Sequence, residues 1–199
     1  MTPSLRACLK GLRLPIRTSR LDLVAPESSH VTALVPLLND PTVARWTLHI
    51  PNPYTVADAR RFVRRARAFR RTGGGLRLVM VRRSDRALVG GIGLHHTDED
   101  HASAEIGYWL GRPYRGHGYG SEAARAVVKI AFQELGLHRV EAAVFPGNAG
   151  SIRLLRRVGF RYEGRARDAV LKDGKWRSDL WFSVLATDRV RSRRTARKP

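Results

Sequence analysis

Polar and apolar residues alternate along this chain with two different periods, and the period indicates where strands and helices form. Strict alternation is typical of a half-buried strand, whereas apolar residues three and four positions apart form one face of a helix. The strand patterns lie at 20–24, 76–81, 88–95, 102–110, 139–145, a stretch beginning at 159, and 176–185. The helical patterns lie at 28–39, 56–71, 118–135 and 149–157. The chain is therefore predicted to be an α/β protein.

The order of these elements indicates how the strands pair. Short polar turns join the three strands between 76 and 110, which predicts an antiparallel meander. The strand at 139–145 follows a helix, so we expect it to run parallel to the strand at 104–110 through a right-handed crossover. These features predict one mixed, mostly antiparallel sheet of about seven strands with helices on both faces.

A glycine-rich loop at residues 112–120 joins a predicted strand to the longest apolar helix. Glycine recurs at 116, 118 and 120, and glycine permits left-handed backbone angles and close backbone approach. A loop of this kind directs several backbone N–H groups to one point, where the helix N-terminus adds roughly half a positive charge. Arg112 and Arg115 add two cations. The loop is therefore predicted to bind an anion, most often a phosphate.

Two other interpretations of this loop remain open at the level of sequence. It can be a tight strand-to-helix connection without a ligand, because short glycine motifs often match by chance. It can also be a dinucleotide-binding loop, with Glu141 as the ribose-binding acid. The glycine spacing is shorter than that of the dinucleotide motif, however, and Glu141 falls inside a predicted strand.

Composition limits the class of protein. The chain has 199 residues, 43% of them apolar, which suits one domain with tails. No apolar run is long enough to cross a membrane, and the first twenty residues lack the continuous apolar block of a secretory signal. That acid-free start faintly resembles an organelle transit peptide, although a disordered start is the simpler interpretation. Cys8 is the only cysteine, so we expect no intrachain disulfide and a reducing, cytoplasmic location.

The net charge of +20 is concentrated at both ends of the chain. Residues 1–20 carry five basic groups and residues 189–199 carry six, and neither segment has an acid. We therefore expect a basic extension at 1–17, one domain at 18–187 and a basic tail at 188–199, with both ends disordered. Such tails either contact ribosomal RNA or remain solvated.

The loop and three further motifs resemble one enzyme superfamily. Arg115-x-x-Gly118-x-Gly120 resembles the acyl-CoA pyrophosphate loop of the GNAT N-acetyltransferases. The strand at 104–110, Asn148-x-x-Ser151 and Gly159-Phe160 also resemble that superfamily, and within it the ribosomal-protein N-terminal acetyltransferases. The resemblance covers roughly residues 18–187. It implies the GNAT fold, with a splayed parallel strand pair, and acetyl-CoA as the acetyl donor.

The resemblance also implies a set of cofactor-binding residues. The pyrophosphate is expected on the backbone N–H groups of 116–121, and the N–H groups near Trp109 and Leu110 are expected to polarise the thioester carbonyl. Asn148 is expected to bond the cofactor, to cap its helix, or both. The full predicted set is Trp109, Leu110, Arg115, Gly116, His117, Gly118, Tyr119, Gly120, Ser121, Asn148 and Ser151.

Glu105 is the predicted general base. It lies in an apolar strand, on the face that also carries Gly107 and Trp109, and a lone carboxylate there is costly unless it is wet or paired. The alternative is that Glu105 pairs with one of the many arginines. The ribosomal-protein branch also carries a glutamate in the strand after Gly-Phe, but Val170 occupies that position here, with Asp168 and Glu163 near it. This departure leaves the identity of the base open.

Ser151 is the predicted acid. Many GNAT enzymes protonate the leaving thiolate with a tyrosine seven residues after the asparagine, where this chain has Leu155. The ribosomal-protein branch instead uses a serine at the position of Ser151. The alternative is an ordinary serine near a helix N-terminus. His95, His96 and His101 lack a convincing fourth ligand, so we predict no metal.

These features predict an acetyl-CoA-dependent N-acetyltransferase acting on a protein N-terminal α-amine. The alternatives are a small-amine acetyltransferase, for an antibiotic, polyamine or amino acid, and a non-catalytic module that binds RNA or CoA. A monomer or homodimer is expected. Trp46, His49 and Tyr54 lie where acceptor-binding loops of the superfamily fall, and we expect Trp46 to belong to the core.

Overall fold

The computed structural model describes residues 4–188 as one open sheet with helices on both faces. The strands are β1 Ile16–Arg17, β2 Leu21–Val24, β3 Leu76–Arg82, β4 Leu88–Asp98, β5 Ser103–Leu110, β6 Arg139–Val144, β7 Arg161–Lys172 and β8 Lys175–Leu185. The helices are α1 Leu5–Gly11, α2 Val31–Leu38, α3 Pro41–Trp46, α4 Val56–Thr72, α5 Tyr119–Gln133 and α6 Ala149–Val158, with single 3₁₀ turns at Ser28–His30 and Arg112–Tyr114. Within residues 4–188, every helix is too short or too polar to span a bilayer.

The eight strands follow the order β1-β2-β3-β4-β5-β6-β8-β7. The meander of β3, β4 and β5 is antiparallel, as predicted. The parallel pairing of β5 with β6 is also confirmed. The eighth strand, β1, is a two-residue edge strand that the alternation pattern was too short to indicate.

Two apolar cores lie on opposite faces of this sheet. Neighbouring strand residues point to opposite faces, so Leu78 and Val79 of β3 belong to different cores. The larger core packs β3–β6 against α5 and α6, and the smaller one packs β3 against α2 and α4. The helices on both faces therefore cover the sheet as the pattern predicted.

Residues 4–17 differ from the prediction of a disordered extension. Leu5, Leu9, Leu12 and Ile16 are buried in the larger core, and Arg70 of α4 donates hydrogen bonds to the carbonyl oxygens at the end of α1. Apolar residues at helical spacing within a basic segment are enough to attach it to the domain. These residues therefore pack with the domain. Of the predicted basic tail at 188–199, only Asp188 is described, and residues 189–199 lie outside the described residues.

Candidate active site

The glycine-rich loop has the backbone conformation of an anion site. Gly116 and Gly118 both have φ of 83°, the left-handed region that favours glycine, and Gly118 is the N-cap of α5. The first N–H after the loop with a backbone partner is that of Glu122, which donates to the carbonyl of Gly118 at 3.0 Å. Within residues 4–188, the N–H groups of residues 116–121 have no acceptor. Six unpaired donors at a helix N-terminus fit a diphosphate.

The first turn of α5 is anchored by Glu122. Its carboxylate accepts hydrogen bonds from the hydroxyls of Thr18 at 2.6 Å and Ser19 at 2.9 Å, and from the backbone N–H of Arg20 at 2.8 Å. The Arg20 guanidinium pairs with the same carboxylate at 2.7 Å and also donates to the carbonyl of His117 at 3.0 Å. These bonds hold the loop in place before any ligand arrives.

Several side chains of the loop contact other parts of the protein. Arg115 donates from Nε to the carbonyl of Leu110 at 3.1 Å and from Nη1 to the hydroxyl of Thr42 at 2.7 Å. Tyr119 is buried, and the ring of His117 stacks on it at 5.9 Å. In this arrangement residues 116–121 offer backbone N–H groups to the predicted cofactor, whereas the N–H of Arg115 donates to the carbonyl of Arg112 at 3.3 Å. Arg112 beside the loop is exposed.

A wedge opens between the two parallel strands next to this loop. Their pairing covers three positions, Ser103 with Arg139, Ala104 with Val140 and Glu105 with Glu141. Beyond Glu105, β5 stays paired with β4 and β6 stays paired with β8, so the two strands separate. The predicted splay is therefore present, and it begins at the predicted base.

The backbone of β5 presents only some of its N–H groups to this wedge. The N–H of Gly111 donates to the carbonyl of Val89 on the β4 side at 3.0 Å. Because N–H directions alternate along a strand, the N–H of Trp109 also faces β4, and that of Leu110 faces the wedge. Leu110 is therefore the member of the predicted pair that is placed to donate to a thioester carbonyl, while the indole of Trp109 lies against Gly91.

Glu105 sits at the vertex of the wedge with a strongly perturbed carboxyl group. Burial, and after it the charges of Glu141 and Asp179, raise the pKa of Glu105 to about 7, although a hydrogen bond from the N–H of Ala143 acts in the opposite direction. Within residues 4–188, Glu105 forms no salt bridge, so the alternative of an arginine partner is not met. A carboxyl group that titrates near neutral pH is matched to general base catalysis.

Three other carboxyl groups lie near the site, those of Glu141, Glu163 and Asp179. Glu163 accepts a hydrogen bond from Arg139 at 2.9 Å and another from Ser183, and the bond from Arg139 is the main cause that lowers the pKa of Glu163 to about 2. Glu141 is paired with Arg139 at 3.0 Å. Asp179 of β8 is buried, and burial raises its pKa as it does that of Glu105. The position of Glu105 at the vertex of the wedge favours it as the base, and the identity of the base stays a prediction.

Ser151 has a partner that the sequence did not indicate. Its hydroxyl lies 2.6 Å from the hydroxyl of Tyr108, which reaches from β5 to α6. Burial raises the pKa of Tyr108 to about 12, and the bond to Ser151 acts in the opposite direction. The Asn148 side chain caps α6 by accepting from the N–H of Ser151 at 3.2 Å. The sequence offered one signal for Tyr108, namely that it is a hydroxyl-bearing residue within the apolar strand beside the wedge.

A group of imidazoles faces Glu105 from β4. His95 lies opposite Glu105 in the antiparallel ladder, and His96 has a left-handed φ of 47° that interrupts the strand and places its ring 5.0 Å from that of His95. Donor atoms of His95, His96 and Glu105 lie within 4.8 Å of one another, a set that divalent metals accept. Nδ1 of His95 is buried without a hydrogen-bond partner in residues 4–188. The absence of a metal stays a prediction.

The predicted acceptor residues occupy different environments. Tyr54 is buried in the smaller core, whereas His49 is exposed. Trp46 is half-buried rather than part of either core, and its ring lies 3.6 Å from the position of a Cβ on Gly147, in the loop after β6. Trp46 therefore extends from α3 towards the wedge, which differs from the expected core position.

Comparisons with known proteins agree with this geometry. The protein-family model described as "Acetyltransferase (GNAT) domain" matches residues 20–161. An uncharacterized N-acetyltransferase of Bacillus licheniformis, p20, is 32% identical over 169 residues, which cover 84% of this chain and 94% of that protein. The [Ribosomal protein uS5]-alanine N-acetyltransferase of Escherichia coli (strain K12) is 35% identical over 83 residues, 42% of this chain and 43% of that protein. The structure of Mycobacterium smegmatis RimJ in complex with CoA-disulfide superposes with a TM-score of 0.75 at 27% identity, covering 89% of this chain and 86% of that one.

Proposed function

The chain belongs to the GNAT acetyltransferase family and is an N-acetyltransferase that uses acetyl-CoA, and on that premise we propose that its acceptor is a protein N-terminal α-amine. The observation that carries this proposal is the carboxyl group of Glu105, which lies at the vertex of the wedge, forms no salt bridge within residues 4–188, and has a pKa raised to about 7, chiefly by burial. A base of this strength suits an amine whose own pKa lies close to neutral pH.

The acceptor's pKa determines how much the site must contribute. At about pH 7, removing the proton from an α-amine with a pKa near 7.7 costs roughly 1 kcal/mol, whereas lysine, near 10.4, costs roughly 4.6 kcal/mol. Glu105 alone is a sufficient base for the smaller of these two deprotonation costs, that of the α-amine. The partial similarity to the uS5-alanine enzyme of Escherichia coli supports the same acceptor class.

In the proposed mechanism, each group of the site has one task. Acetyl-CoA supplies an acetyl group already activated as a thioester, so the protein needs no covalent intermediate. The N–H groups of 116–121 hold the diphosphate, and that of Leu110 donates to the thioester oxygen, a contribution typically worth about 3 kcal/mol. Glu105 takes one proton from the acceptor's ammonium group, directly or through a water molecule. The second proton of the amine ends on the departing sulfur, beside Ser151 and Tyr108.

A panel of acceptors tests the proposal directly. We expect turnover of a short peptide with a free N-terminal alanine or serine. The same peptide with a blocked N-terminus and one lysine should react about 500-fold more slowly at neutral pH, from the difference in unprotonated amine alone. Thiol release from acetyl-CoA measures each rate, with a polyamine, an aminoglycoside and a free amino acid as further acceptors. Comparable rates with lysine or with any small amine would contradict the α-amine assignment.

The pair formed by Tyr108 and Ser151 gives a second prediction. We expect Tyr108→Phe and Ser151→Ala each to lower kcat by about tenfold, because each removes part of one hydrogen-bond chain to the departing sulfur. The double variant should lose little more than the larger single loss, since both changes act on the same chain. The measurement is a double-mutant cycle in kcat together with the acetyl-CoA affinity of each variant.

The control for this cycle is Tyr162→Phe, which removes a hydroxyl from a half-exposed tyrosine on β7. It should leave kcat within twofold of the unchanged protein. Additive losses from Tyr108→Phe and Ser151→Ala, or losses that follow acetyl-CoA affinity rather than kcat, would show that the pair supports packing and not thiolate departure.

A further inference from the structure

The solvent face of α4 carries a row of exposed arginines. Arg60, Arg64, Arg67 and Arg71 are exposed, and their spacing of four, three and four residues places them on one side of the helix. Successive members rise by roughly 4.5 to 6 Å, so that the row is about 16 Å long. In the described part of the chain none of the four forms a salt bridge or donates a side-chain hydrogen bond. We refer to these four residues as the arginine row.

Two members of the row, Arg67 and Arg71, also line a cavity of about 290 Å³ between α1, α4 and β3. Its walls carry cationic side chains, and its floor is apolar. The cations are Lys10, Arg67, Arg70, Arg71 and Arg77, and the floor includes Leu14, Pro26, Ala66, Leu76 and Leu78. Among residues 4–188, no carboxylate forms a salt bridge with any of these cations. We refer to this feature as the basic cavity.

Two of the cavity's cations differ in the groups that they contact. Arg70 is committed to the fold, because its guanidinium bonds backbone carbonyl oxygens of α1 and of Leu12. Arg77 is half-buried, with its guanidinium 4.5 Å from the centre of the Phe69 ring. Burial, and after it the charge of Arg65, lowers the pKa of Arg77. A cluster of cationic side chains that lacks carboxylate partners is stabilised when an anion binds to it.

The combination of a cationic row with an apolar, cation-walled cavity selects the class of anion. A small anion such as inorganic phosphate has no use for the apolar floor. A membrane surface requires large apolar side chains on the helix face that approaches it, and on α4 the one exposed large apolar residue is Val56 at its first position. Single-stranded nucleic acid offers both a charged backbone and bases that stack on arginine planes and enter apolar pockets.

We propose that the arginine row and the basic cavity together bind single-stranded RNA, with phosphates along the row and a base in the cavity. None of the residues involved belongs to the candidate active site, so this inference is independent of the acceptor assignment. An enzyme that binds RNA in this way would be held close to acceptors displayed on ribonucleoprotein particles.

The test measures fluorescence anisotropy of a labelled uridine oligonucleotide with the full chain, over a series of salt concentrations. The row variant is Arg64→Gln, Arg67→Gln and Arg71→Gln combined. We expect it to bind at least about tenfold more weakly at physiological salt, and the slope of log affinity against log salt to fall by about 2, since each lost phosphate contact removes about 0.7. The same melting temperature and acetyl-CoA affinity as the unchanged protein show that the variant is folded.

The matched control removes the same charge elsewhere. Arg167→Gln, Lys175→Gln and Arg177→Gln combined change three exposed cations of the β7–β8 hairpin, which should cost less than about twofold in affinity. Equal losses in the row variant and in this control would reduce the binding to net charge and overturn the proposal. An oligonucleotide of the same length without bases that binds as tightly would overturn it as well, because the cavity would then hold no base. Equal or tighter binding to anionic lipid vesicles would replace RNA with a membrane surface.

Discussion

Gly118→Glu is expected to weaken the binding of CoA by at least about 100-fold, which corresponds to roughly 2.8 kcal/mol. Gly118 has a φ of 83°, where any other residue strains the backbone by roughly 1–2 kcal/mol. The new carboxylate would also stand beside the unpaired N–H groups of 116–121, where its repulsion of a diphosphate charge at about 5 Å amounts to roughly 3 kcal/mol. Calorimetric titration with CoA measures the loss.

The same chain provides a matched control for this substitution at Gly136. That residue has a φ of 69°, follows the other end of α5, and has no atom within 4 Å of an added Cβ. At Gly118 the nearest atom to an added Cβ is a flexible arginine nitrogen at 3.4 Å, so neither substitution clashes with the core. Gly136→Glu therefore carries the same charge and the same kind of strain, and it should retain full affinity for CoA. Unchanged affinity in the Gly118 variant, or equal losses in both, would remove the loop from the cofactor site.

The features that sequence predicted well are those that local chemistry determines. Glycines at 116 and 118 have the left-handed conformation that their spacing indicated, and Asn148 caps α6 through its own side chain. Thr55 and Asp58, which stand three residues apart at the start of α4, form a reciprocal cap of the kind that this spacing favours. In each case the partners lie within a few residues of one another, so a short window of sequence contains the whole interaction.

The features that sequence missed depend on residues far apart in the chain. The hydroxyls of Tyr108 and Ser151 meet only because β5 and α6 flank the same wedge, and no local pattern relates positions 43 residues apart. Leu5 and Leu9 join the larger core because α1 packs against α4, although their segment is basic by composition. His96 leaves the strand alternation through a backbone irregularity near the end of β4, which the apolar pattern did not indicate. Burial and long-range packing decide these positions, and composition does not.

Glu105→Gln is the second substitution with a large expected effect, a fall in kcat/KM of roughly 100-fold or more at neutral pH, which is the typical contribution of a general base. The amide has nearly the shape of the carboxyl group but cannot accept the proton. CoA affinity should stay within twofold, since the unpaired N–H groups of 116–121 are untouched. A parallel loss of CoA affinity would make Glu105 a structural residue instead.

The pH dependence separates a base from a merely polar contact. In the unchanged protein, Glu105 must be ionised to act, so kcat/KM rises as pH increases through about 7. Because Glu105 takes its proton from the ammonium form of the acceptor, the reacting pair is ionised Glu105 with protonated amine, so log kcat/KM should rise with a slope of about one up to about pH 7. Glu105→Gln can react only with amine that is already unprotonated, so its acid limb should follow the pKa of the acceptor, about 7.7 for an α-amine, and move when an acceptor of different pKa is used. Glu141→Gln provides a further test, because removing a negative charge beside Glu105 should move the enzyme's ionisation to lower pH. An acid limb in Glu105→Gln that still follows a pKa of about 7, whatever the acceptor, would exclude Glu105 as the base.

The stability of the same variant provides the fold control, with a definite sign. The folded-state pKa of Glu105 lies above the ordinary value of 4.5, so its ionisation opposes folding, and stability is lost as pH rises from that value through about 7. Glutamine carries no such penalty. Glu105→Gln should therefore melt at the same temperature as the unchanged protein, or higher, at slightly alkaline pH, while the difference disappears at acid pH. Stability that rises as catalysis is lost is the result expected when a buried carboxylate is kept for its chemistry. A variant less stable at alkaline pH would instead mean that the Glu105 carboxylate stabilises the fold.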